Sequence, residues 1–136
     1  MLAQARRLRA DAYLRHGLFT AADLTDGIDV CPDDERSIHV GMYDPRGNLV
    51  GTVRVIRGLP DRPIPVAQAP FHICTGDRPH GEISRYAVAD GWSGLGLVAG
   101  AWRELFRICV DEGLADLFAE VEAFLLDALL AAGLPL

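Results

Sequence analysis

The segment 81–88 places an acidic and a basic side chain, Glu82 and Arg85, in an otherwise apolar run that is typical of a β-strand. Ionisable side chains are costly to bury unless they are paired or have a chemical task. Residues three apart on a strand point to opposite faces, so one of the two is expected to face a reaction cleft while the other braces the strand. A second strand-like run, residues 50–56, carries Arg54 among β-branched residues. The two runs predict a polar seam in one sheet.

A glycine-rich turn follows the first of these runs and precedes a long apolar segment. Gly91, Gly94 and Gly96 lie where a strand is expected to pass into a helix. Backbone N–H groups at a helix N-terminus bind anions such as phosphate. A turn of this kind is weak evidence by itself, but its position directly after the strand of Glu82 favours a phosphate-binding role.

These segments resemble the GNAT acyltransferase superfamily, and within it the branch of acyl-homoserine-lactone synthases and N-acyl amino acid synthases. The strands of that branch carry Gly-Thr-x-Arg and Glu-x-Ser-Arg motifs, which correspond here to residues 51–54 and 82–85. The lactone synthases also have an N-terminal signature of Arg, Phe and Trp, followed by acidic residues, that helps to form the amine site. The residues at that spacing here are Arg9, Tyr13 and Phe19, followed by Asp29, Asp33 and Asp34. Both aromatics depart from the pattern, so specificity for S-adenosylmethionine is not carried over.

The resemblance implies direct attack of an amine on an acyl thioester, which requires a proton acceptor and stabilisation of an oxyanion. Glu82 is the candidate base, acting through a water molecule, and a carboxylate paired with an arginine is its purely structural alternative. Arg85 and Arg54 are expected to organise the site by orienting Glu82 or the aspartates with bidentate hydrogen bonds.

The resemblance also assigns binding roles to the N-terminal residues and to the glycines. The aspartates would receive the substrate ammonium, with a solvated acidic loop as the alternative, and Arg9 would bind a substrate carboxylate. The glycines match the pyrophosphate loop of the superfamily, except that Gly91 replaces its first residue. The implied co-substrate is an acyl-CoA or acyl-carrier-protein thioester. Trp92 and Trp102 could line its acyl channel, although a core position is preferred for Trp102.

Composition indicates one small domain, residues 1–136, because half of the residues are hydrophobic and the length suffices for one core. The net charge of −6 argues against nucleic acid as the main partner. An N-terminal arginine cluster could meet an acidic carrier protein, with a solvated helix face as the alternative. Cys31, Cys74 and Cys109 are widely separated, so neither a disulfide framework nor a metal site is predicted. A cytoplasmic protein without a membrane span is expected.

Periodicity and turn signals predict a β-α-β-α ending after an N-terminal helix and a hairpin, with a long proline-rich loop over residues 58–80. The expected fold class is α/β (α+β), with a GNAT-like mixed, mostly antiparallel central sheet flanked by helices. The resembled family continues with further C-terminal strands, so either a second copy of the chain completes the sheet or the chain is a shortened member. The predicted helices are 3–16, 94–112 and 122–132, and the predicted strands are 37–43, 48–57, 82–89 and 115–121.

The function predicted on this basis is N-acyl transfer from acyl carrier protein or acyl-CoA to the amine of an amino-acid-like acceptor, a small molecule. The product could serve as a signal, as in autoinducer synthesis. Two alternatives stay open. One is an acetyl-CoA-dependent N-acetyltransferase, and the other is a catalytically silent module that binds acyl-CoA.

Overall fold

The computed structural model describes residues 1–92 and 95–133 of the chain. All the predicted helices and strands are present, and their ends differ from the predicted ones by one or two residues at most. The helices are α1 (Leu2–Arg15), α2 (Leu95–Asp111) and α3 (Ala123–Ala131), and the strands are β1 (Ser37–Tyr43), β2 (Leu49–Arg57), β3 (His80–Val88) and β4 (Asp116–Ala119). Short 3-10 helices lie at Ala21–Asp23, Pro32–Arg36 and Pro65–Ala67.

The four strands form one mixed sheet in the order β1-β2-β3-β4. β1 and β2 are antiparallel, with Ser37 opposite Ile56, and the turn between them is held by the carboxylate of Asp44, which accepts backbone hydrogen bonds from Arg46 and Asn48. β3 and β4 are parallel, with their first residues opposite each other. The mixed sheet and the hairpin predicted from the sequence are therefore confirmed.

The chain divides into two compact units, and β3 passes from one to the other. The first unit contains Met1–Arg57 and Ser84–Ser93, and the second contains Gly58–Ile83 and Gly94–Leu136. In the first unit α1 packs against β2. β2 is buried along nearly its whole length, which is typical of a strand covered on both faces. Arg54 is therefore held inside the unit rather than at its surface.

The second unit has its own apolar core. Trp102, Leu105 and Cys109 of α2 are buried there, as are Leu129 of α3 and Ile64 of the proline-rich segment. The preferred core position of Trp102 is thereby confirmed. Within the described ranges, no helix combines the length and the apolar character that crossing a membrane requires.

Gly58, directly after β2, is a position where the chain has no room for a side chain. Its N–H donates a hydrogen bond of 3.0 Å to the carbonyl of His80, and a Cβ atom on Gly58 would lie 2.6 Å from the imidazole Cδ2 of His80. We expect Gly58→Ala to lower the free energy of unfolding by about 1–3 kcal/mol, because the imidazole must move to relieve the overlap. Urea denaturation of the purified chain measures this change.

His80→Ala provides the control, since it removes the ring that the new methyl group would strike. In the His80→Ala background, Gly58→Ala should cost little, so a double-mutant cycle should show coupling between the two positions. An equal cost in both backgrounds would contradict this explanation.

Candidate active site

Asp34 lies at the centre of a buried cluster of charged side chains in the first unit. The residue is 3% exposed. Its carboxylate accepts hydrogen bonds from Arg6 Nε at 2.9 Å, from Arg9 Nη1 and Nη2 at 3.2 and 3.0 Å, and from Arg54 Nη1 at 2.9 Å. Three guanidinium groups therefore bind one carboxylate, which offsets the cost of removing it from water.

Three segments of the chain bring these groups together, and each does so for a local reason. Arg6 and Arg9 are three residues apart on α1, so their side chains leave the same face of the helix. Pro32 begins the 3-10 helix that carries Asp34, and a proline is well suited to the first turn of a helix. Arg54 comes from the buried strand β2 and also donates to Ser84 Oγ at 3.2 Å.

Asp29 is the second buried carboxylate of the cluster. Its Oδ2 lies 2.7 Å from Arg9 Nε and 3.2 Å from Arg85 Nε, while its carbonyl oxygen accepts a 2.9 Å hydrogen bond from Arg9 Nη2. Arg9 is fully buried, and every nitrogen of its guanidinium group contacts one of the two aspartates. The prediction that Arg9 binds a substrate carboxylate is therefore not supported, because Arg9 has no accessible donor.

Arg85 covers the aromatic pair of the N-terminal signature. Its guanidinium carbon lies 5.8 Å from the ring centre of Tyr13 and 5.1 Å from that of Phe19, and the two rings meet edge to face at 5.0 Å. Tyr13 Oη donates a 3.1 Å hydrogen bond to the carbonyl oxygen of Tyr86. Cation–π contact with two rings holds the guanidinium in place while part of it faces solvent.

The backbone of Arg85 departs from the strand geometry assumed in the sequence analysis. Its φ is 55°, in the left-handed region that side chains other than glycine rarely adopt. Such a conformation costs on the order of 1–3 kcal/mol and persists where the surroundings hold it. The simple alternation of side chains along β3 therefore does not apply at Arg85.

Burial and charge shift the pKa values of Asp34 and Tyr13. Burial alone would raise the pKa of Asp34, but hydrogen bonds from Arg9, Arg6 and Arg54 outweigh it and hold this pKa well below its usual range. Burial raises the pKa of Tyr13 to about 12, against the opposing charge of Arg85. Asp34 is therefore ionised, and Tyr13 is a neutral hydrogen-bond donor, at neutral pH.

The other predicted site residues lie apart from this cluster or in the second unit. Asp33 pairs with Arg36 at 2.7 Å, on the rim of the 3-10 helix. Glu82 belongs to the second unit, where it is 6% exposed and its Oε2 accepts a 2.8 Å hydrogen bond from the backbone N–H of Val66. The 3-10 turn in the proline-rich segment thus supplies a donor that orients the Glu82 carboxylate.

The predicted phosphate loop is described only in part. Gly91 adopts a φ of 76° in a turn of the first unit, which favours glycine, and Gly96 lies in the first turn of α2. Gly94 lies outside the described residues. The N–H groups in the first turn of a helix have no partner within the helix, and a phosphate site at the start of α2 stays a prediction.

The second unit also contains an apolar groove with a volume of about 580 Å³. Trp102 and Phe106 of α2 form one side, with their ring centres 6.0 Å apart. The rest of the lining comes from Ile83, from β4 and its flanks, and from α3. Its size falls within the range of small-molecule sites, about 300–1,000 Å³.

Taken together, the structure gathers most of the predicted acceptor residues into one cluster and adds two that the sequence did not single out as site residues. Arg6 belongs to the N-terminal arginine cluster, for which the sequence suggests a carrier-protein contact or a solvated helix face, although its spacing of three from Arg9 could have placed it with Arg9. Ser84 was part of a motif, but nothing in its type indicated a contact with Arg54. The predicted residues that meet in the first unit are Arg9, Tyr13, Phe19, Asp29, Asp34, Arg54 and Arg85.

Comparison with solved structures defines the class of protein. BjaI, a CoA-dependent acyl-homoserine lactone synthase with SAM and isopentyl-CoA, is 26% identical with a TM-score of 0.77, and the match covers 97% of this chain and 64% of BjaI. The acyl-homoserine lactone synthase LasI is 16% identical with a TM-score of 0.77, covering 97% of this chain and 70% of LasI. FeeM, an N-acyl amino acid synthase from uncultured soil microbes, is 14% identical with a TM-score of 0.62, and the match covers 90% of this chain and 71% of FeeM. The fold is that of GNAT-type acyltransferases.

The family is shown by the sequence itself. Residues 4–124 match the family described as N-acyl amino acid synthase FeeM, and the chain belongs to that family. No curated protein sequence matches the chain. The chain spans less than two thirds of the length of BjaI.

Removing the central carboxylate tests the cluster. We expect Asp34→Asn to lower the free energy of unfolding at pH 7 by about 3–5 kcal/mol, because three guanidinium groups lose their shared anion. Since the pKa of Asp34 is lower in the folded state, its contribution is present above the unfolded-state pKa and is lost as the pH falls through the folded-state value. Urea denaturation between pH 7 and pH 2 should therefore show a weaker acid dependence in the variant.

Asp90→Asn is the matched control, because the side chain of Asp90 is 88% exposed and lies 4.0 Å from its nearest arginine. It should change the free energy of unfolding by less than about 1 kcal/mol. Equal losses in the two variants would show that the buried pairs are not what holds this unit together.

Proposed function

We propose that this protein transfers an acyl group from a thioester, acyl-CoA or acyl carrier protein, to the amine of an amino-acid-like acceptor. The observation that carries the proposal is the convergence of motif residues from four separate segments in one buried cluster. Those segments lie within residues 4–124, the range that matches the N-acyl amino acid synthase family. Charged side chains distant in sequence are rarely buried together unless the arrangement has a chemical task.

The reaction needs a proton acceptor, because an ammonium ion has no lone pair to attack the thioester carbonyl. Glu82 is the proposed base. Its buried carboxylate is oriented by the N–H of Val66, and a fixed carboxylate can accept the proton directly or through one water molecule. The amine then adds to the carbonyl carbon, the nitrogen passes its second proton to the departing sulfur as the tetrahedral intermediate collapses, and the thiol leaves.

The thioester donor requires sites for its acyl chain and its phosphates. The groove beside Trp102 and Phe106 is the proposed site of the acyl chain, since its lining is mainly apolar and its volume exceeds the need of an acetyl group. The first turn of α2, with Gly96, is the proposed site for phosphate.

The test incubates the purified chain with acetyl-to-palmitoyl thioesters of CoA and of acyl carrier protein, together with amino acids and S-adenosylmethionine, and identifies products by mass spectrometry. We expect an N-acyl amino acid, and we expect Glu82→Gln to lower kcat by about 10²–10⁴-fold, because the amide keeps the size of the side chain but cannot accept the proton. Thioester binding should be unchanged.

Glu120→Gln is the control for this substitution, since Glu120 is exposed in the second unit. An acetylated product alone would favour the N-acetyltransferase alternative. Thioester binding without turnover, equal in wild type and Glu82→Gln, would favour the silent binding module and refute the proposed catalysis.

The proposed role of the groove leads to a second prediction, which concerns how activity depends on the length of the acyl chain. Leu126 of α3 lines the groove and is 38% exposed, so tryptophan can be placed there without breaking the core. We expect Leu126→Trp to lower kcat/KM for long-chain thioesters by about 10–200-fold, because the ring occupies space that the chain needs. Activity with acetyl-CoA should stay within a factor of about two.

Leu130→Trp is the matched control on the same helix, because Leu130 is 51% exposed and is not part of the groove. Its chain-length profile should equal that of the wild type. Parallel losses for acetyl and long-chain donors in Leu126→Trp would assign the acyl chain to another site.

A further inference from the structure

His39 of β1 is a buried side chain that makes a directed contact with the backbone of Asp34. Its side chain is 9% exposed, and its Nε2 lies 3.0 Å from the carbonyl oxygen of Asp34 and 4.0 Å from Asp34 Oδ1. A carbonyl oxygen only accepts hydrogen bonds, so Nε2 carries the hydrogen and donates it. The imidazole ring therefore fixes the backbone of the residue at the centre of the charged cluster.

Stability alone does not account for a histidine at this position. With Nε2 as the donor, Nδ1 is a buried hydrogen-bond acceptor, and none of the described residues donates to it. A buried polar atom without a partner costs free energy, and an apolar ring of similar size would avoid that cost. What the imidazole ring provides is a hydrogen-bond donor whose place is set by only two side-chain torsions.

The position of Asp34 in turn fixes Arg54. Each oxygen of the Asp34 carboxylate accepts two hydrogen bonds, Oδ1 from Arg9 and Arg54 and Oδ2 from Arg6 and Arg9. The side chain of Asp34 has no exposed surface, so it acts through these arginines rather than on a substrate. His39 lies opposite Arg54 in the β1–β2 ladder, which places both side chains on the same face of the hairpin. A shift of the Asp34 backbone would therefore displace the guanidinium group of Arg54.

Arg54 continues the series of contacts to β3. Its Nε donates a 3.2 Å hydrogen bond to Ser84 Oγ, while its Nη1 donates a 2.9 Å hydrogen bond to Asp34 Oδ1. Ser84 lies two residues after Glu82, the proposed base, in the same strand. A continuous series of hydrogen bonds thus runs from His39 through Asp34 and Arg54 to Ser84.

We infer that His39 is a positioning residue of the acyltransferase site. Its hydrogen bond to Asp34 fixes Arg54, and Arg54 fixes β3 at Ser84. Coupling of this kind travels through contiguous hydrogen-bonded side chains. Displacement of a reacting group by about 1 Å can cost about 10²-fold in rate, so loss of the His39 contact should lower kcat. This kinetic consequence rests on the proposed function.

The first test needs no turnover. Nuclear magnetic resonance detects the Nε–H group of Arg54, assigned from its through-space contact with Ser84, and hydrogen exchange of this group reports how firmly Arg54 is held. We expect His39→Asn to raise the exchange rate by about tenfold or more, because the shorter amide does not reach the carbonyl of Asp34. His39→Phe, which keeps a ring without a donor, should behave in the same way. His39→Gln should keep the wild-type exchange rate, since its amide nitrogen can take the place of Nε2.

The second test is kinetic and uses the acyl-transfer assay with the same thioesters and amino acids. We expect His39→Asn and His39→Phe to lower kcat by about 10–100-fold, and His39→Gln to keep at least about a third of the wild-type kcat. The KM for the thioester should stay within a factor of about two, because the proposed donor site belongs to the second unit. A role confined to stability would leave kcat unchanged in variants that near-ultraviolet circular dichroism shows to be folded.

His16→Asn is the matched control, because it makes the same substitution at an exposed histidine of the same unit. It should change neither the exchange rate nor kcat. Unchanged Arg54 exchange in folded His39→Asn and His39→Phe variants would refute the inference, and so would faster exchange with an undiminished kcat. An inactive wild type would refute the proposed function, while faster Arg54 exchange in these variants would still support the positioning contact.

Discussion

Two buried carboxylates set the main constraint on this structure. Asp34 and Asp29 are almost completely removed from water, and a carboxylate can remain ionised in such a place only if cations replace its hydration shell. The cations come from α1, β2 and β3, so these elements and the segment that carries the aspartates must be in place together. The ion pairs thus link segments whose apolar residues alone would tolerate several arrangements.

Stability by itself does not explain why such a cluster is present. Replacing a buried ion pair with well-packed apolar side chains is often neutral or stabilising, whereas removing one partner is costly. What the cluster provides is a fixed position for the guanidinium group of Arg85. It holds Arg85 in an unfavourable backbone conformation over Tyr13 and Phe19, with one edge of its guanidinium group open. A side chain whose supports are already fixed has little conformational freedom left to lose.

The helices and strands could be predicted from the sequence because they depend on residues that are close together in the chain. The apolar periodicity of α2, the β-branched run of β2 and the turn residues between β1 and β2 act over a few positions, and the predicted elements are all confirmed. Arg85 shows the limit of such reasoning. Alternation along a strand assumes regular φ and ψ angles, whereas Arg85 has a positive φ and its side chain contacts Asp29, Tyr13 and Phe19, which lie far away in sequence.

By itself the sequence determined the family, the order of helices and strands, and the residue types that the chemistry needs, because motifs and periodicity are local in the chain. Only the tertiary structure decided which of those side chains are enclosed in ion pairs and which are exposed to solvent. Arg9 and Arg85 are both arginines in family motifs, yet one is enclosed by two aspartates and the other is partly exposed. Burial and pairing arise from segments that meet only when the chain folds, so spacing along the sequence does not carry that information.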